Sequence, residues 1–375
     1  MKRLLSLVIL TLVTAVAGAQ IVPRMVIIEN DLLTYYLDHS DYNPDDYSYT
    51  NIFLPAQRQR WDSPAPVVFR WKENLEGAAL EIREHEFDPI PFQAIEIKPR
   101  TKSCQVYNLI PGRWYFYTLV DARGNSIYEK GSFFVNGRRR MIRADNVRNI
   151  RDFGGMVTDD GRTLRYGLMY RGACLDWATR GGQVDTIFTR DGWKVLHDLL
   201  KIRADIDLRS PLELNLTDDD PSNDMDKCPL GPDVEHHHYS MSAFGGIQTS
   251  GRYGPALLCI LDCLQRGRNV FIHCAAGADR TGAISFLLGG MAGVCETDLA
   301  RDYELTCMSK STPKHTRNSD KPYYYAASVA YLKENFEGNT LSEKIQDFLI
   351  KKQGITREQI TALQEIMVGD QDAPR

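Results

Sequence analysis

Residues 273–282 read His-Cys-Ala-Ala-Gly-Ala-Asp-Arg-Thr-Gly and put a thiol, small side chains and an arginine into one short loop. An apolar run, Asn269-Val270-Phe271-Ile272, precedes it, and an apolar helical pattern from Thr281 to Met291 follows. A strand that ends in a tight loop opening a helix aims several backbone N–H groups at one point, which attracts anions. Gly277, with Ala275, Ala276 and Ala278 around it, lets that backbone curl closely because little side chain stands in the way. Arg280 adds a planar fork for two phosphate oxygens. The same positive surroundings favour thiolate over thiol, so Cys274 is the candidate nucleophile. The chemistry this loop suits is direct attack on a phosphate ester, with residues 275–280 as the anion cradle. Thr281 is placed to give its hydroxyl hydrogen to the departing sulfur. His273 is placed to order the loop through hydrogen bonds.

Spacing alone does not single out this loop. Cysteine, five residues and arginine recur at Cys174–Arg180 and Cys295–Arg301. The first encloses Leu-Asp-Trp-Ala-Thr, which has no glycine and a bulky indole. The third encloses Glu-Thr-Asp-Leu-Ala, an ordinary first helical turn after a Gly-Val-Cys cap. Only the middle copy lies between a strand pattern and a helix pattern.

With its surroundings, the loop resembles the signature of the cysteine-dependent phosphatase superfamily, and its Asp-Arg-Thr-Gly ending resembles the bacterial tyrosine-phosphatase-like branch. Three further blocks agree, in the order that branch has them. Asn146 to Gly155, with Asp160-Gly161-Arg162 and Gly167 to Arg171, is similar to its N-terminal signature. Asp205-Ile206-Asp207-Leu208-Arg209-Ser210 is similar to its Asp-Leu-Arg strand end, and Asp302-Tyr303-Glu304-Leu305-Thr306 follows the signature helix. The resemblance covers about 170 residues. It implies a phosphate monoester hydrolase working through phosphocysteine, without cofactor or metal. The implied substrates are phosphotyrosine proteins, including dual-specificity targets, with phosphoinositides or inositol phosphates as the alternative. Lipid-active members often carry lysine where this chain has Ala275 and Ala278, which lowers the charge available for a multiply phosphorylated ring. Arg148, Arg151 and Arg209 are the cations that could compensate. A reading from another class is an inactive phosphate-binding or adhesion module, and an arsenate-reductase-like or rhodanese-like reading is third.

The leaving oxygen needs a proton. Asp207 is the first candidate donor, because it ends a strand beside the loop and falls in the Asp-Leu-Arg block; its alternative is a structural salt bridge with Arg209 or Arg171. Asp279, inside the loop, is the second candidate and could instead brace it. Arg151 and Asp152 are candidates for the pocket wall or for a structural ion pair. His236-His237-His238 alternate in direction along a strand, so only the outer two share a face. Without a cysteine or carboxylate partner they make a poor metal site.

The remaining elements must hold these residues in place. Of 375 residues, 43% are hydrophobic and 25% charged, as in a globular protein, and the net charge of −4 argues against a nucleic-acid binder. Residues 1–19 read as a signal peptide, with a basic head, an apolar stretch and Ala17-Gly18-Ala19 before Gln20. A periplasmic or secreted location follows. Eight cysteines show no disulfide framework. Residues 20–60 are irregular, and Asp38 to Asn51 reads as a loop. Over 61–137 short alternating strands predict a small all-β sandwich. There Trp71 and the Leu109-Ile110-Pro111-Gly112 turn before Tyr115 resemble a fibronectin-III or immunoglobulin-like module, which would bind a protein or glycan. Gly124-Asn125 reads as a hairpin turn. From 138 onward the pattern is α/β, a parallel-leaning sheet wrapped by helices. Strands are expected at 204–208, 234–240 and 269–273, and helices at 190–201, 255–266, 281–291, 296–307, 323–336, 341–351 and 356–367. Both Asp207 and Cys274 fall at C-terminal strand ends, where such sheets bind ligands.

Overall fold

The computed structural model describes residues 21–39, 61–75, 77–121, 123, 127–178, 184–210, 228–241, 246–248, 253–309 and 325–369. The signal peptide, most of the 38–51 loop and the Gly124-Asn125 turn lie outside the described residues. The chain forms two compact units that interleave in sequence. The smaller comprises Met1–Val26, Val68–Gln105 and Tyr115–Phe133, and the larger takes Ile27–Val67, Val106–Trp114 and Phe134–Arg375.

The smaller unit is built on antiparallel pairing. Ala79–Arg83 lies between Gln93–Glu96 and the long strand Arg113–Val120. Strand alternation buries Leu80 and Ile82 on one side, and Tyr115, Tyr117 and Leu119 on their own strand. Phe69 and Phe133 meet edge to face, with ring centroids 5.5 Å apart. Gly131 keeps a strand open to Tyr117, since a Cβ there would come within 2.7 Å of the tyrosine oxygen.

The larger unit carries the α/β architecture. Its sheet runs in the order Glu235–His238, Ile202–Asp207, Asn269–Cys274, Met169–Ala173 and Arg151–Asp152. The first four strands are mutually parallel, and the two-residue edge strand is antiparallel. The central strand is apolar on both faces. Val270 and Ile272 pack into one core with Ile206, Leu257, Ile284, Leu287 and Ile345. Phe271 points the other way, into a second core with Tyr170, Leu196 and Ile202. Burial on both faces accounts for its unbroken hydrophobic run.

The helices follow the sequence pattern closely. They run Tyr253–Gln265, Asp279–Met291, Glu296–Glu304, Tyr325–Asn335, Leu341–Gln353 and Arg357–Met367. The last two open on capping boxes, Thr340 with Glu343 and Thr356 with Gln359. The helix expected over 190–201 divides instead into an α-helical turn, Arg190–Trp193, and a wider π-helical stretch, Lys194–Leu199. No helix of the described residues is long and apolar enough to cross a membrane.

Candidate active site

Cys274 is the last residue of the central strand and pairs with Ala173 on the neighbouring strand. The chain then turns through residues 275–278 and enters the helix Asp279–Met291, whose N-cap residue, Ala278, makes no side-chain cap. The first N–H groups of that helix therefore remain for an anion. Gly277 makes the turn with φ +67, and a Cβ there would lie 2.2 Å from the Gly172 carbonyl oxygen. Only glycine fits this crossing. Ala275, Ala276 and Asp279 are half-exposed at the mouth, whereas Cys274, Gly277, Ala278 and Arg280 are buried.

The loop's carbonyls are gripped from behind. Asn149 Nδ2 donates to the Ala276 and Gly277 oxygens, each at 3.1 Å. Arg171 Nη2 donates to the Gly277 oxygen at 2.8 Å. Turning these carbonyls backward leaves the amides facing forward. One carboxylate fixes the gripping residues: Asp302 accepts from Arg151 Nε at 2.8 Å and from Arg171 Nη1 at 2.6 Å. Arg151 Nη1 in turn donates to Asn149 Oδ1 at 2.6 Å. Burial alone would raise the Asp302 carboxyl, but Arg151 and Arg171 outweigh it and hold it well below the usual range. Burial and the neighbouring Arg171 push Arg151 down to about 10.

Of the two readings for Arg151 and Asp152, pocket wall or structural ion pair, the fold places both in ion pairs. Both are buried, 2% and 3% exposed. Asp152 accepts from Arg140 at 2.9 Å and from the Gly154 and Gly167 amides. Asn149, Arg171 and Asp302 do the loop-holding work. Their blocks stood out in the sequence, but nothing local assigned their roles, because Asp302 lies 151 and 131 residues from its two arginines.

Asp207, the first candidate acid, faces inward. Its oxygens take 2.6 and 3.0 Å bonds from Arg209, which also holds Asp176. Burial would raise its pKa, but His273 and Arg209 keep it lowered. A buried, ion-paired carboxylate that resists protonation is a poor proton donor. The structural ion pair with Arg209 is thus what the fold provides, and Asp279 is the carboxyl that the loop presents at its mouth.

His273 is fully buried between two carboxylates, with Nε2 3.1 Å from Asp205 Oδ1 and Nδ1 3.8 Å from Asp207 Oδ1. Neither approach is aligned as a hydrogen bond, so the attraction is chiefly between charges. Burial would lower the His273 pKa, yet Asp207 and Asp205 together raise it to about 9. Thr281 Oγ1 is buried with no hydrogen-bond partner among the described residues. Of the three arginines that could compensate for Ala275 and Ala278, Arg151 and Arg209 are committed to ion pairs, and Arg148 alone is exposed.

Two features escaped the sequence reading. The chain leaves the site through Cys174, whose N–H donates to the Ala275 oxygen at 3.3 Å, and three residues later presents Trp177, 47% exposed. The indole that disqualified Cys174–Arg180 as a cradle is thus exposed, three residues beyond a backbone bond to the real one. The decoy at Cys295 behaves as expected, capping the helix Glu296–Glu304. A cavity of about 280 Å³, lined by Leu37, Arg138, Arg139, Tyr166 and Arg301 among others, includes no residue of the 273–282 loop.

A thiol at the end of a parallel strand, beneath an uncapped helix N-terminus and an arginine, defines a class of phosphate-handling site. The chain belongs to the tyrosine phosphatase family, whose profile matches residues 142–369. A curated Cupriavidus necator protein, named provisionally as a tyrosine-protein phosphatase, is 24% identical over 187 residues. The match spans 45% of this chain and 63% of that relative's length. Among solved structures, the core catalytic domain of the Saccharomyces cerevisiae PP-IP phosphatase SIW14, in complex with citrate, is 15% identical. It covers 56% of this chain and 94% of its own, with a TM-score of 0.31. The structure of Tk-PTP in its active form is 17% identical and covers 55% of this chain and 92% of its own, with a TM-score of 0.20.

Proposed function

We propose that the protein hydrolyses phosphate monoesters through a phosphocysteine intermediate, with phosphotyrosine proteins as its principal substrates. The observation that carries this reading is the position of Cys274, at a strand end under the amides of residues 275–280, with Arg280 rooted in the same loop. The Cys274 sulfur attacks phosphorus while the ester oxygen departs and takes the Asp279 proton. Water then attacks the phosphocysteine, Asp279 accepts its proton, and the sulfur leaves as thiolate, receiving a hydrogen bond from Thr281. Arg280 and the loop amides hold the equatorial oxygens throughout. His273 positions the loop from below and touches no reacting atom.

Phosphotyrosine is favoured over multiply phosphorylated rings on two grounds. The loop has alanine at 275 and 278, with only Arg148 exposed among the compensating arginines, and Trp177, three residues after the loop-bonded Cys174, offers an exposed aromatic face. We further propose that residues 1–19 direct export to the periplasm or outside the cell. Residues 61–137 would form a fibronectin-III or immunoglobulin-like sandwich that binds a protein or glycan, ahead of a phosphatase domain from 138.

The test compares wild-type and Cys274→Ser protein on phosphotyrosine peptides, phosphoinositides and inositol hexakisphosphate. Wild type should turn over the peptides fastest. Loss of the nucleophile should cost at least about 10³-fold in kcat while vanadate or phosphate binding persists. Hydrolysis that survives Cys274→Ser sinks the mechanism. Preference for inositol hexakisphosphate overturns the substrate class alone. Vanadate binding without turnover on any substrate supports the inactive module instead.

A further inference from the structure

The three adjacent histidines divide between the two faces of their strand. Parallel pairing sets His236 beside Asp205 and His238 beside Asp207. His236 Nδ1 lies 3.0 Å from Asp205 Oδ2, and His238 Nε2 donates to the Arg209 carbonyl at 2.7 Å. Alternation sends His237 to the opposite face. There the helix Tyr253–Gln265 brings up Cys259 and Cys263, four residues apart and hence on one helical face. Along the chain the histidines have no cysteine partner beside them; the fold supplies Cys259 and Cys263, with Glu235 alongside.

We infer that His237, Cys259 and Cys263 form a zinc site; Glu235 lies against His237 outside that cluster, and rotation of its side chain would bring a carboxylate to the fourth corner. The His237, Cys259 and Cys263 ligand atoms all lie within 4.8 Å of one another. His237 Nε2 is 3.8 Å from Cys263 Sγ and 3.5 Å from Glu235 Oε2. Zinc bonds of about 2.3 Å to sulfur and about 2.0–2.1 Å to nitrogen and oxygen, at tetrahedral angles, require separations of about 3.6 Å for sulfur to nitrogen and about 3.4 Å for nitrogen to oxygen. The two distances from His237 meet these within a few tenths of an ångström, and Cys259 Sγ lies within 4.8 Å of both its partners. Two thiolates, an imidazole and a carboxylate suit zinc better than magnesium or calcium, which prefer oxygen. Two thiolates and a carboxylate exceed the charge of the ion by one. Arg266, which bonds both Glu235 oxygens at 2.7 Å and approaches Cys263 Sγ at 3.6 Å, offsets that excess.

The metal would clamp the outermost strand of the parallel sheet to a core helix. That clamp keeps His236 and His238 in register against Asp205, which flanks His273, and Arg209, which pairs with Asp207. Its role is structural, and the reaction does not pass through it.

The experiment uses the full chain, reduced and metal-free, carrying Cys274→Ser so that the nucleophile cannot contribute a thiolate. Zinc is titrated in competition with a chromophoric chelator, and cobalt substitution reports thiolate ligation through its charge-transfer absorption. One zinc per chain is expected, with proton release on binding and a rise in thermal midpoint. Cys259→Ser, Cys263→Ser and His237→Ala should each weaken binding at least about 100-fold, and Cys228→Ser should not. Should Cys263→Ser fail to fold, the half-exposed Cys259 and His237 carry the test. Absence of stoichiometric binding overturns the site, as does binding unchanged in the Cys259→Ser and His237→Ala proteins. Loss confined to Cys228→Ser, or a Cys259–Cys263 disulfide mapped in freshly purified protein, overturns it too.

Discussion

Asp207 and Asp279 differ in what their surroundings let them do with a proton. Asp207 is 1% exposed and bonded three times over to Arg209 side-chain nitrogens. Asp279 opens the helix at the half-exposed mouth of the loop. Replacing each by asparagine should separate the roles. Asp279→Asn is expected to lower kcat about 10²–10⁴-fold on phosphotyrosine, the range for a lost general acid. The loss should shrink on aryl phosphates whose phenol is acidic enough to leave unprotonated. Asp207→Asn breaks a buried pair and should instead cost stability, by about 3–5 kcal/mol, with the folded fraction keeping its dependence on the leaving group. A leaving-group series on both variants, with urea unfolding, checks this. The reverse pattern would return the acid role to Asp207.

At the scale of elements, the strand, loop and helix act as one device, and Gly277 is its tightest point. A methyl group at 277 meets the Gly172 carbonyl, whereas one at Gly282, five residues on, makes ordinary contacts with ring atoms of Tyr303 at 3.6 Å and with Arg171 Nη2 at 3.7 Å. Gly277→Ala should therefore displace the cradle and lower kcat/KM about 10²-fold or more, and weaken vanadate binding with it. Gly282→Ala should fold normally and stay within a few-fold of wild type, as a helical glycine with ordinary space around it. Equal activity of the two variants would show that loop curvature is not limiting. The same device was the part most legible in sequence, because small residues between an apolar run and a helical pattern are local signals. The helices from 253 to 367 were legible for the same reason, with Thr340 and Thr356 marking their starts. What the local pattern could not supply were contacts made across the sheet. Asp302 reaches Arg151 and Arg171, and His237 meets Cys263. Each joins residues on different elements, so spacing along the chain carries no trace of it. The Asp207–Arg209 salt bridge, two residues apart, was legible as an alternative, but the burial that favours it over the acid role was not.

At the scale of the molecule, the buried charges under the site should set how stability changes with pH. His273 sits at the centre of the sheet, with Asp205 and Asp207 on the adjoining strand. Burial opposes its protonation, but the two carboxylates prevail and lift its pKa from about 6.5 to about 9. A group whose pKa is raised by folding stabilises the native state fully below its unfolded pKa, and that contribution disappears as the pH climbs through the folded pKa. Stability should therefore fall between about pH 6.5 and 9, by at most about 3 kcal/mol for a shift of this size. His236 adds to the decline with the same sign, its burial being outweighed by Asp205. The thiols of half-buried Cys104 and buried Cys174, pushed up to about 12, add to it only where an unfolded thiol ionises, near pH 8.5 and above. Cys259, lowered to about 6 by its hydrogen bond with the Cys263 thiol, titrates in the same interval with the opposite sign. The histidine slope is therefore read in the Cys259→Ser background. Urea unfolding from pH 6.5 to 8 should show a declining midpoint there, and adding His273→Gln, which cannot titrate, should flatten most of the slope. A Cys259→Ser midpoint constant from pH 6 to 8 would mean that His273 is neutral in the native protein, and the charge-held account of the loop's foundation would fail with it.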